Sequence, residues 1–224
     1  MQPQILFEDN HLLVINKPPG VLAQGDNTKD LSVLDILKNT IKIRDKKPGN
    51  VYLGLVHRLD RPTSGAMVLA KTSKALSRLN NQFAEKTTAK TYWAIVSGTA
   101  ADTATRLSHF LIRKQAQNKS YAHRKEVPNS KFSELIYTKK RDLDRYTLLE
   151  IELLTGRHHQ IRAQLSAEGL IIKGDLKYGA KRPNKDGSIH LHARKLTIIH
   201  PTLKERMTFT APPPKDAVWN AVAD

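Results

Sequence analysis

Apolar residues in this chain come mostly in short, strand-length runs punctuated by Gly and Pro, and that pattern confines the fold more than any other feature of the sequence. Leu12–Asn16 is one such run, closed by Lys17-Pro18-Pro19-Gly20, where two prolines remove backbone donors and the glycine permits a bend. Val51, Leu53 and Leu55 alternate into His57-Arg58-Leu59-Asp60. Pro62 then blocks continued pairing and Ala66–Ala70 forms the next strand, so Asp60 is expected between two strands. Thr91–Val96 is β-branched and aromatic and stops at Gly98. Phe132–Tyr137 and Tyr146–Leu154 read as a hairpin around a charged turn at 141–145. Leu191–Ile199 and Met207–Thr210 follow, parted by His200-Pro201, before Pro212-Pro213-Pro214 forbids further pairing.

Helical spacing is confined to a few stretches. Val33, Leu34, Leu37 and Ile41 share one face, with Asp30 or Ser32 as cap and the 45–50 loop as terminator. Residues 73–86 place Ala75, Leu76, Leu79 and Phe83 on one side behind Thr72 or Ser73. A third helix is expected from Thr155-Gly156 through Leu165, ending at Gly169 and carrying Arg157 and Arg162 in its first turns. So few helices among so many strands, without regular βαβ alternation, imply an α+β fold: a central mixed, mainly antiparallel sheet flanked by helices and loops. The 224 residues, 39% of them apolar, suffice for a single domain or two tightly joined halves, and one domain over 1–224 is expected.

Charge narrows the choice of partner. Lys and Arg number 37 against 21 Asp and Glu, a net +16, which suits a polyanion such as nucleic acid. Between about 100 and 130 the chain turns basic, with Arg106, Arg113, Lys114, Lys119, Arg124 and Lys125, and reads as a projecting hairpin or loop. It is either a solvated excursion or an RNA-contacting arm. The absence of cysteine excludes disulfides, thiolate catalysis and Cys-type zinc sites. No signal-like N-terminus or membrane-length apolar run is present, so a cytoplasmic, soluble chain is expected, with a monomer as the default.

The segment His57-Arg58-Leu59-Asp60-Arg61-Pro62-Thr63-Ser64-Gly65 places a carboxylate at a strand end beside hydroxyls and a glycine that permits close approach. Taken alone it supports a turn cap, with Asp60 serving the Thr63 or Ser64 amides, about as well as a catalyst. A protein-kinase catalytic loop would need Asp directly after Arg together with a glycine-rich phosphate loop and an Asp-Phe-Gly triplet, a combination missing here. His57, His158, His159, His190 and His192 could in principle gather around a metal, but no acidic cluster accompanies them and no metal is expected.

Val56-His57-Arg58-Leu59-Asp60 with Thr63-Ser64-Gly65, Tyr92 after Lys90, and Gly156-Arg157-His158-His159-Gln160-Ile161-Arg162 resemble the RluA-type RNA pseudouridine synthases. Gly174-Asp175, Tyr178-Gly179 and Leu191-His192-Ala193 extend the resemblance, in the family's order, over nearly the whole chain. It implies a pseudouridine synthase-like fold and isomerisation of uridine in ribosomal or transfer RNA, with no metal or organic cofactor. It makes Asp60 the essential carboxylate, Tyr92 the aromatic packed against the target base, and Arg162 the cation that pairs with Asp60. Arg58 resembles an arginine that enters the RNA near the flipped nucleotide, and Leu191 a residue that packs on the base opposite the tyrosine. His158 stands where relatives more often carry Ser or Thr. Many relatives have a small RNA-binding domain ahead of the catalytic one; here the catalytic pattern begins within the first few residues, so RNA affinity is expected from the catalytic domain's own basic surface. A non-catalytic RNA-binding or ribosome-assembly factor is the rival function, and a glycoside or nucleoside hydrolase a third.

Overall fold

The computed structural model describes residues 2–26 and 30–222. The chain divides into two compact units, one comprising the N-terminal part as far as Ala89 together with Ala193–Trp219, the other Lys90–His192 with Asn220–Val222.

In the first unit β1 (Gln4–Glu8) pairs antiparallel with β2 (Leu12–Lys17), and β2 pairs antiparallel with β4 (Ser64–Ala70). The short β3 (Gly54–Leu55) joins the end of β4, and β11 (Leu191–Ile199) lies beside β4 and carries β12 (Arg206–Thr210) as its antiparallel partner. Every residue of β4 is buried, as its unbroken small and apolar composition Ser-Gly-Ala-Met-Val-Leu-Ala requires of a strand covered on both faces. Helix α1 (Val33–Arg44) starts at Ser32, whose hydroxyl accepts from the Asp35 amide while the Asp35 carboxylate accepts from the Ser32 amide. Helix α2 (Ser73–Ala84) is capped by Thr72 and presses Ala75 and Leu79 onto a core of Leu12, Val14, Val68, Leu196, Ile198 and Phe209.

In the second unit the strand order is β5 (Ala89–Ser97), β9 (Thr147–Leu153), β8 (Lys131–Asp142), β6 (Thr105–Lys114), β7 (Lys119–His123), and β10 (Ile171–Ile172) pairs with β5. All these pairings are antiparallel. Most of the basic 100–130 stretch is the β6–β7 hairpin: β6 follows β8 from Thr105↔Tyr137 to Leu111↔Lys131, the tip turns through a 3-10 turn at Gln115–Gln117, and residues 100–104 and 124–130 lie outside the strands. Its alternation was hidden because His109 takes an inward position otherwise held by Leu107 and Leu111. Helix α3 (Gln160–Ala167) begins later than its sequence suggested, so Arg157 precedes it. The Gln160 side chain accepts from the Thr155 hydroxyl and the Arg157 amide, and His159 turns left-handed at φ +52°, which ties 155–159 into a loop instead of a helical turn. The last short helix is α4 (Ala217–Asn220).

Gly65 opens β4 at φ +121°, and a Cβ there would lie 2.4 Å from the Ala193 carbonyl oxygen and 2.5 Å from its nitrogen. Gly20 also has positive φ, +83°, but nothing lies within 4 Å of its would-be Cβ. Gly65→Ala must therefore push two backbones apart, and should destabilise by about 3 kcal/mol or more, against roughly 1 kcal/mol for Gly20→Ala. Urea unfolding of the two variants measures the contrast; equal losses would mean that the close approach of β4 to β11 is not constraining.

Candidate active site

In the first unit, the segment from His57 to Thr63 is held at both ends. His57 Nε2 accepts from the Val68 amide at 3.1 Å, which places the ring proton on Nδ1, and the ring stacks on Phe83 with centroids 4.9 Å apart. It thus anchors the segment to β4 and α2. Leu59 is buried, Arg58 is exposed and Asp60 is half-buried, an alternation that sends the guanidinium outward. The turn is closed by the Thr63 amide donating to the backbone carbonyl of Asp60 at 3.0 Å. Arg61 ties it to the preceding Pro-Pro-Gly turn: the Gly20 amide donates to its carbonyl at 2.8 Å, its Nε donates to the Gly20 carbonyl at 2.9 Å, and its guanidinium pairs with Asp30.

Beneath this loop lies Lys17, wholly buried at the end of β2. Its Nζ donates to the carbonyls of Val21 (2.8 Å), Pro18 (2.9 Å) and Arg61 (3.3 Å), so one amine staples the 17–21 turn to the Asp60 turn. Burial pulls its pKa down to about 7, Asp60's charge works against that fall, and Arg61's adds to it. Sequence reasoning took Lys17 only as part of a turn. The available signal was its position: it continues a strand buried on both faces, where a lysine needs dedicated acceptors.

The second unit contains Tyr92, Leu191 and Arg162. Tyr92, opposite Ile151 on β5, is 8% exposed, and Leu191 at the start of β11 is 4% exposed. Burial lowers the pKa of nearby Lys90. Arg162 on α3 is buried and bidentate to Asp175: Nε to Oδ2 at 2.7 Å and Nη2 to Oδ1 at 2.8 Å. Its guanidinium also lies 5.0 Å from the Tyr178 ring centre. The resemblance pairs Arg162 with Asp60; the carboxylate that fixes its plane within this unit is Asp175, to which the Gly174-Asp175 motif gave no role. Tyr178 continues the network, its hydroxyl lying 3.0 Å from His159 Nδ1 and donating to the Ser120 carbonyl at 3.1 Å.

Two more of the candidate histidines make hydrogen bonds. His158 lies 2.8 Å from Ser120 Oγ through Nδ1 and 3.1 Å from Asn118 Oδ1 through Nε2, and His190 Nδ1 lies 2.9 Å from Asn184. Among the described residues no three His, Asp or Glu side chains gather as metal ligands, and no helix is long and apolar enough to cross a membrane.

A lysine whose pKa is near 7 folded and about 10.4 unfolded binds fewer protons folded, so its contribution to stability is level below pH 7 and rises with pH between those values. Lys17→Met removes that rise and leaves three buried carbonyls without their donor. The variant should be less stable by about 2–4 kcal/mol, with the deficit growing by roughly 2 kcal/mol from pH 7 to pH 9. Urea midpoints at both pH values measure this; a deficit independent of pH would mean that the ammonium stays charged throughout.

Residues 11–167 match the family model described as RNA pseudouridylate synthase. The chain is 35% identical over 93% of its length to a protein of Buchnera aphidicola subsp. Baizongia pistaciae named ribosomal large subunit pseudouridine synthase C, and 33% identical over 95% of its length to the like-named protein of Vibrio vulnificus. It spans 66% of the length of each. The solved structure of human RNA Pseudouridylate Synthase Domain Containing 4 superposes with a TM-score of 0.80 at 26% identity, covering 98% of this chain and 92% of the other. That of human RNA Pseudouridylate Synthase Domain Containing 1 gives 0.76 at 25% identity, covering 99% and 88%. The α+β architecture is that of these neighbours, and the chain belongs to the RNA pseudouridylate synthase family.

Proposed function

We propose that this protein isomerises uridine in RNA to pseudouridine, with Asp60 as the catalytic carboxylate. The observation that supports the reading most is that the family match over 11–167 includes a carboxylate on a rigidly tied turn at a strand end. The names of the relatives mention the ribosomal large subunit, which supports its RNA as the substrate class; the proposed place of action is the cytoplasm.

The chemistry assigns each residue a task. A uridine has to leave its stack, and Tyr92 offers an aromatic surface in exchange, with Leu191 as an apolar surface for the same base. The N1–C1′ bond breaks and a C5–C1′ bond forms. Asp60 either attacks C1′ or removes the C2′ proton while the freed uracil turns. The C5 proton then leaves to a base, for which Tyr92 and Asp60 are the candidates. Arg162, its plane fixed by Asp175, is the cation that the family resemblance assigns to orienting the Asp60 carboxylate. Arg58, exposed beside Asp60, stacks on bases or neutralises phosphate where the nucleotide is drawn out. Because the base returns to the same sugar, no second carboxylate is required to activate water, unlike in glycoside hydrolysis.

Asp60→Asn should lower uridine-to-pseudouridine conversion at least about 10³-fold while leaving RNA affinity within roughly twofold. Nucleoside chromatography and a binding titration measure the two. Persisting conversion would remove Asp60 from the mechanism. RNA binding by the wild type without any conversion would favour the non-catalytic rival.

A further inference from the structure

The basic stretch between 100 and 130 is not uniform once its partners are known. Arg106 is spent on Glu134 at 2.9 Å, and Arg124 reaches Glu168 at 3.2 Å. Around the tip of the β6–β7 hairpin the picture differs. Arg113, Lys114 and Lys119 flank the 3-10 turn, and Lys177 joins them from a second 3-10 turn at Leu176–Tyr178. Among the described residues no carboxylate lies within ion-pair distance of any of these four.

These cations are nevertheless held in place. Lys177 Nζ donates to the carbonyls of Asn118 (3.0 Å) and Gln117 (3.3 Å), capping the end of the turn. The ammonium groups of Lys114 and Lys119 lie 5.2 and 5.3 Å from the centre of the Tyr121 ring, whose hydroxyl donates to Gln117 at 2.7 Å. Asn118, left-handed at φ +43°, is fixed through its side chain to His158 in the loop before α3. Like charges gathered without counter-ions repel one another, and the fold holds them together through carbonyls and rings rather than through acids. A ligand that relieves this repulsion must bring several negative charges at fixed spacing.

We propose that the β6–β7 tip, with Lys177, is a phosphate-binding platform that grips the backbone of the RNA substrate. It rests on the RNA-modifying function proposed above and deepens it: of the basic side chains in this stretch, it selects the tip and adds a lysine nearly sixty residues downstream. Contacts of this kind carry no sequence information and set register and affinity.

The test is the salt dependence of binding to a fluorescein-labelled single-stranded oligoribonucleotide of about 20 nucleotides, long enough to occupy more than one single-strand binding site. Loss of two phosphate contacts should lower the log–log salt slope by about 1.4 in Lys114→Gln/Lys119→Gln. Lys114→Arg/Lys119→Arg should keep the wild-type slope, and so should Lys139→Gln/Lys140→Gln, whose cations are paired with Asp102, Asp142 and Glu150. An unchanged slope in the glutamine variant of the tip, or an equal loss in its arginine variant, would overturn the platform while leaving the proposed function standing. Wild-type protein with no salt-dependent RNA binding would overturn both.

Discussion

One amine under three carbonyls organises the neighbourhood of Asp60. Lys17 gathers Pro18, Val21 and Arg61, and without it the two turns that Arg61 and Gly20 stitch together would bury acceptors with nothing to donate to them. Desolvating an amine is costly, and the fold tolerates the cost because the same contact fixes a turn that carries the carboxylate. The rest of that unit arranges itself around the loop: His57 pins its start to β4, the Thr63 amide closes it, and Gly65 lets β4 run against β11 directly afterwards. A side chain on a loop gains precision from such supports.

The second unit solves a different problem, which is to bury a polar helix. Gln160, Arg162 and Gln164 are all inside. Specific partners hold them: Gln160 is bonded by Thr155 and the Arg157 amide, Arg162 by the Asp175 carboxylate, and the Gln164 amide nitrogen donates to the carbonyls of Leu107 and Ser133. An arginine held bidentately keeps its plane and its charge, which suits it to orient an anion.

Much of this was legible in the sequence because it depends on local rules. The strands at 12–16, 66–70, 91–96 and 191–199 and the first two helices follow from apolar spacing and caps, and they fall where β2, β4, β5, β11, α1 and α2 lie. What stayed hidden depends on tertiary partners. β1 is an edge strand with a bulge between Ile5 and Phe7 and no buried residue, so it carries no alternation to read. The late start of α3 is set by a side chain reaching back to Thr155, and the role of Lys17 by carbonyls up to 44 residues away. For the candidate site, the expectation for Asp60 rests on its motif. Asp175 and the sorting of the 100–130 cations needed coordinates, since an ion pair leaves no mark on composition.

Pseudouridine formation has one consequence that neither binding nor hydrolysis shares: the hydrogen on C5 of the target uridine is lost while the base stays in the chain. The most direct measurement is therefore tritium release from large-subunit ribosomal RNA labelled at uridine C5, followed together with nucleoside analysis of the same RNA. The expected result is release of tritium to water in step with pseudouridine formed, with no free uracil. Tritium retained in the RNA after incubation with folded protein, or free uracil in solution, would contradict the assignment of this chain as an isomerase acting through Asp60.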